Sequence, residues 1–156
     1  MKKRITRKVV LLAVLAVGIV FGSLAYSHCQ IPCGIYDDDM RLKQIAEHIT
    51  TIEKSMKQID LLMEEEPPNA NQVVRWVNNK ENHANELSEI VTYYFMAQRI
   101  KIPPAGDAKA NAAYVKKLTL LHHMLVYSMK AKQTTDLSNV HELRHLLEDF
   151  SKAYSG

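Results

Sequence analysis

Apolar side chains recur at Leu42, Ile45, Ile49, Ile52, Met56, Ile59 and Met63, with steps that alternate between three and four residues. A helix that buries one stripe against partner helices has this spacing. It predicts a first helix from Asp38 to Glu66. Asp37, Asp38 and Asp39 put negative charge where a helix N-terminus favours it, and Pro67-Pro68 ends the run. A second helix is predicted from about Asn71 to Ile100 through Val77, Ala84, Leu87, Val91 and Tyr94, stopped by Pro103-Pro104 and Gly106. A third runs from about Ala108 to Lys132 through Ala112, Val115, Leu118, Leu121 and Leu125. A fourth runs from about Leu137 to Tyr154 through Val140, Leu143, Leu147, Phe150 and Tyr154, with Asn139–Glu142 or Asp136 as the cap. The connections are short, which favours antiparallel neighbours and an up-down-up-down bundle.

Composition agrees with an all-α chain. Its 156 residues include only five Gly and five Pro, and 7% are aromatic, too few turn and strand formers for a sandwich or barrel. The length suits one domain. The net charge of +3 is unevenly placed: Lys2, Lys3, Arg4, Arg7 and Lys8 carry five positive charges. Without residues 1–27 the balance becomes −2, so the basic pI near 8.8 belongs to the N-terminal segment and a nucleic-acid partner is not expected.

That segment has the layout of an export signal. A basic stretch is followed by an uncharged run of 17 residues from Val9 to Ala25. Ala25-Tyr26-Ser27 then places small residues at the −3 and −1 positions of a cut after Ser27. We therefore expect residues 1–27 to be a signal peptide and residues 28–156 the mature domain, periplasmic or extracellular. The other reading of the same run is an uncleaved membrane anchor.

The segment His28-Cys29-Gln30-Ile31-Pro32-Cys33-Gly34-Ile35-Tyr36 lacks the helical pattern and holds both cysteines. If His28 begins the mature chain, its α-amine and imidazole become nitrogen donors. Cys29 adds a thiolate and its backbone amide, and Cys33 adds a second thiolate. Two nitrogens and two sulfurs in a plane suit Ni(II) or Cu(II), whereas zinc prefers a tetrahedron. A Cys29–Cys33 disulfide, natural in an exported protein, is equally compatible with the spacing.

The pattern His-Cys-x-x-Pro-Cys-Gly-x-Tyr ahead of a four-helix bundle resembles the nickel superoxide dismutases. The resemblance implies one nickel per subunit, held by His28, Cys29 and Cys33 in a hook spanning residues 28–36. It implies disproportionation of superoxide to oxygen and hydrogen peroxide by Ni(II)/Ni(III) cycling. The His28 imidazole would be the axial ligand, Tyr36 would close the access path, Pro32 would follow a cis bond, and six bundles would assemble. The chain departs from the family pattern in places. Gln30 stands where Asp is common after the first cysteine. Leu42, Lys43 and Gln44 occupy the stretch of a helix glutamate that orients the axial imidazole, with Glu47 a turn later. His83 falls in the stretch of that glutamate's arginine partner. The fold expected is thus all-α, a four-helix bundle preceded by a metal-binding loop and a signal peptide.

Other constellations are weaker. His141-Glu142-Leu143-Arg144-His145 matches the zinc-protease H-E-x-x-H, but both histidines lie opposite the apolar stripe of their helix and should face solvent. His122-His123 reads as one partly buried and one exposed histidine, His48 and His83 as surface or interface residues, and Tyr93-Tyr94 as core or interface residues. Two non-enzymatic alternatives remain: a membrane-anchored helical bundle, and a nickel- or copper-binding module without turnover. Blocking the cut tests the N-terminal reading. Ser27→Leu should leave a membrane-bound precursor with little dismutase activity, whereas a chain starting at His28 should be active. Intact mass and a superoxide assay check both, and a fully active uncleaved precursor would overturn the ligand set.

Overall fold

The computed structural model describes residues 38–155, and every structural statement below concerns those residues. Helix α1 spans Asp38–Met63, α2 Ala70–Glu89, α3 Ala108–Gln133 and α4 Ser138–Ser155, with a π-helical segment, Ile90–Arg99, continuing α2. Each helix packs on the next and α1 closes on α4, the ring of neighbours of an antiparallel four-helix bundle. No described helix is long and apolar enough to cross a membrane. The signal peptide and metal hook expected at residues 1–36 lie outside the described residues.

Local chemistry sets the ends. The side chain of Asn69 accepts from the backbone N–H of Gln72 at 3.2 Å, and that of Asp107 from Ala110 at 2.9 Å, so both cap free amides of a first turn. Asp136 serves α4, accepting from the Ser138 N–H at 2.9 Å and from the Ser138 hydroxyl at 2.8 Å. Asn139 is instead buried in the first turn. The turn before Asp107 needs a left-handed residue, supplied by Gly106 at φ 89°.

The α1 stripe behaves as its spacing predicts from Ile45 to Ile59, while Met63 at the frayed end stays exposed. Two expectations are corrected. First, the second helix is not uniformly α: its winding loosens from Ile90 onward. Second, α3 buries Leu121, Met124, Ser128 and Ala131, while Ala112 and Val115 stay exposed and Leu125 is half-buried. Ser128 can face inward because its hydroxyl donates to the Ala84 carbonyl across the bundle at 2.9 Å and accepts from Ser88 at 3.1 Å. A hydropathy count misses such a satisfied hydroxyl.

Aromatic packing closes the end of the bundle where α1 starts. Phe95 meets Phe150 edge-on at 5.0 Å between centroids, Tyr94 at 5.2 Å and Tyr154 at 5.5 Å. Phe95 and Phe150 are fully buried. Phe95→Ala should therefore cost about 3–5 kcal/mol of unfolding free energy, because a filled core site becomes a cavity. Denaturant titration followed by circular dichroism measures it. A loss below about 1 kcal/mol would mean that the site collapses or was never tightly packed.

Candidate metal centre

Asp38 is the first residue of α1 and stands two positions after Tyr36 in the sequence. Three side chains converge on that carboxylate. Tyr94 donates its hydroxyl to Asp38 Oδ1 at 2.5 Å, and Tyr154 donates to Oδ2 at 2.7 Å. Arg99 Nε lies 2.9 Å from Oδ1 as an ion pair, and its Nη2 donates to the Tyr94 hydroxyl at 2.9 Å. The π winding makes this grouping possible. At about 100° per residue, positions five apart on an α-helix diverge by about 140°. The looser i→i+5 winding brings them back together. Arg99 accordingly sits over the Tyr94 ring, 4.8 Å from its centroid, while Arg41 of α1 approaches the same ring at 5.1 Å.

Electrostatics follow from these contacts. Burial works to raise the Asp38 carboxyl, but the two tyrosine hydroxyls and the Arg99 guanidinium outweigh it and hold the group below its ordinary 3.8. Burial and the hydrogen bond to Asp38 push both Tyr94 and Tyr154 upward, so both remain neutral donors.

A second grouping lies between α1 and α2. His48 Nδ1 and His83 Nδ1 are hydrogen-bonded at 2.8 Å. Glu86 Oε2 lies 3.4 Å from the first and 3.7 Å from the second. Burial and the neighbouring His83 push His48 down, against the opposing pull of Glu86 and Glu47. Lys43, Ala46, Thr50 and Thr51 line an open groove of about 730 Å³ beside the pair. Earlier in α1, Gln44 accepts from Arg41 Nη1 at 2.8 Å, and Glu47 is exposed.

Of the residues singled out in the sequence, His28, Cys29, Cys33 and Tyr36 lie outside the described residues. His141 and His145 are exposed, as their position opposite the α4 stripe requires, so the protease motif has no site around it. Both His122 and His123 are exposed, correcting the expectation that one would be partly buried: the inward face of α3 falls on Leu121 and Met124. Tyr94 is buried and Tyr93 is 46% exposed. Sequence reasoning missed the roles of Asp38, Arg99 and Tyr154.

The clamp makes a pH prediction. Because the folded-state pKa of Asp38 is depressed, its ionised form stabilises the fold at neutral pH. That contribution is lost as pH falls below the usual 3.8 and through the depressed value. Asp38→Asn should cost about 1–2 kcal/mol at pH 7, the low end for bonds to a charge that is partly exposed. The two proteins should converge in acid. Urea melts across pH 3 to 7 measure the difference. A gap that does not narrow in acid would show that the carboxylate charge is not what the clamp uses.

A family model for nickel-containing superoxide dismutase matches residues 23–156. No curated protein and no solved structure matches. The match covers the described bundle and the hook segment ahead of it, and the bundle is the fold that the sequence resemblance implied. The chain belongs to the nickel-containing superoxide dismutase family and is an oxidoreductase acting on superoxide with nickel as its metal.

Proposed function

We propose that the mature protein begins at His28 after export and cleavage behind Ser27, and that it holds one nickel per chain through His28, Cys29 and Cys33. The observation that carries this reading is the uninterrupted His28–Tyr36 motif, placed directly ahead of α1 within the span the family match covers. The donor set fits the metal. Amine and amide nitrogens with two thiolates favour a square-planar d⁸ ion, and anionic sulfur stabilises the higher oxidation state. When bound, nickel would supply the one-electron Ni(II)/Ni(III) couple by which one superoxide is oxidised to oxygen and the next is reduced to hydrogen peroxide.

The chain's own residues do the rest. A free His28 amine would bind as a neutral donor in a five-membered chelate with the adjacent Cys29 amide, whereas an internal histidine would offer an amide nitrogen that must first lose its proton. The His28 imidazole would be a further nitrogen donor to the metal. Pro32 and Gly34 allow the turn that returns Cys33 to the same metal. Tyr36 narrows the approach so that a small anion enters and larger reductants do not. The Asp38 clamp anchors the first residue of α1, two positions along the sequence from Tyr36. Assembly into a hexamer is part of the same proposal.

The apolar stripes of the four helices lie outside the His28–Tyr36 motif in sequence, so metal and fold should separate. Cys29→Ser or Cys33→Ser should abolish stoichiometric nickel binding and bring dismutase activity to background, with helical circular dichroism retained. Metal analysis and a superoxide assay on the purified variants check this. One tightly bound nickel with full activity in either variant would reject the site, and wholesale unfolding would indicate a metal-dependent fold instead.

A further inference from the structure

Among the described residues, three potential metal-ligating side chains converge at one place, and it lies outside the hook. His48 comes from α1, and His83 and Glu86 come from α2 at i and i+3, one face of one helix. The candidate ligand atoms form a triangle with edges of 2.8, 3.4 and 3.7 Å. A point about 2.1 Å from all three corners exists just off the plane of that triangle, and this is the bond length of zinc to imidazole nitrogen and carboxylate oxygen. Bundle metal sites are built this way, with an i,i+3 histidine–carboxylate pair on one helix completed from its neighbour.

We propose that His48 Nδ1, His83 Nδ1 and the Glu86 carboxylate form a second, helix-bridging site for a borderline divalent ion of the zinc class, separate from the nickel hook. Two imidazoles and one carboxylate suit zinc and its first-row neighbours and disfavour calcium and magnesium, which take all-oxygen shells. The set contains no sulfur, so it lacks the donors that make the hook suitable for cycling nickel. Three protein ligands leave a fourth position, and both histidines line the open groove that also carries Lys43, Thr50 and Thr51. The bound ion is therefore exchangeable rather than sealed in the core. Burial favours the neutral, ligand-competent form of His48. In the metal-free protein one of the two Nδ1 atoms must carry the proton of the 2.8 Å hydrogen bond, and the ion displaces that proton. The ion would also tie α1 to α2 near the middle of the bundle, away from the Asp38 clamp.

The test uses the nickel-loaded protein, so that the hook is already filled. His141 and His145, an exposed i,i+4 pair able to chelate weakly by themselves, are replaced as His141→Gln and His145→Gln in every sample. Equilibrium dialysis against zinc, with both metals counted per chain, should find one zinc in addition to the nickel. His83→Asn and Glu86→Gln should each weaken zinc binding tenfold or more while nickel content is unchanged. Because His83 is half-buried, circular dichroism accompanies each variant, and zinc-edge anomalous diffraction on the unsubstituted site supplies an independent reading. A peak between His48 and His83 supports the site. Zinc uptake that neither substitution changes, or an anomalous map with no peak there, overturns it. Zinc and nickel are counted separately, so failure of this site is distinguishable from failure of the hook.

Discussion

One carboxylate holds three separate parts of the chain together. Asp38 opens α1, Tyr94 and Arg99 belong to the π segment, and Tyr154 lies in the last turn of α4, yet all bond to the same two oxygens. Taking a charge partly out of water is costly unless its lone pairs are satisfied, and here both oxygens are. The rings that deliver the hydroxyls continue into the edge-on Phe95–Phe150 pair, so the polar clamp and the apolar core are one structure. Loosening the winding after Ile90 is what lets one short segment contribute a buried ring and a charged partner to the same point.

Elsewhere the bundle is tied by polar groups that a purely apolar core would not contain. Lys80 is buried, and its ammonium donates to the carbonyls of Lys132 at 2.7 Å and Thr134 at 2.9 Å, closing the C-terminal end of α3. Burial pushes its pKa down, yet two carbonyls at a helix C-terminus are natural partners for a cation. Asn79 donates to Ser55 at 2.9 Å, and Arg144 of α4 pairs with Glu53 of α1. Such contacts set the axial offset of one helix against another, which interchangeable leucines and isoleucines leave free.

The division of labour explains the family pattern in physical terms. The proposed ligands are concentrated in a nine-residue segment, His28–Tyr36, rich in turn formers. The remaining chain supplies a support whose stability comes from burial of side chains such as Ile49, Ile52, Leu87 and Leu143. Where this chain departs from the pattern around the first two helices, the structure shows what replaces it. Gln44 is engaged by Arg41, and His83 faces His48 rather than a carboxylate partner on α1.

The sequence by itself determined the number, limits and inward faces of most helices, because hydrophobic period, caps and proline stops are local quantities. Asn69, Asp107 and Asp136 act within three residues of themselves, and the Ile45–Ile59 stripe needs only its own spacing. The His28–Tyr36 motif is legible for the same reason: its proposed ligands lie close together in sequence. Tertiary structure alone decided the rest. His48 and His83 lie 35 residues apart, and Asp38 and Tyr154 lie 116 apart. Nothing in either neighbourhood says that they meet. Ser128 reads as a polar surface residue until the Ala84 carbonyl is placed opposite it. Periodicity fixes which way a side chain points around its own helix. Which partner it reaches depends on how far neighbouring helices slide along one another, and only the packed bundle sets that distance.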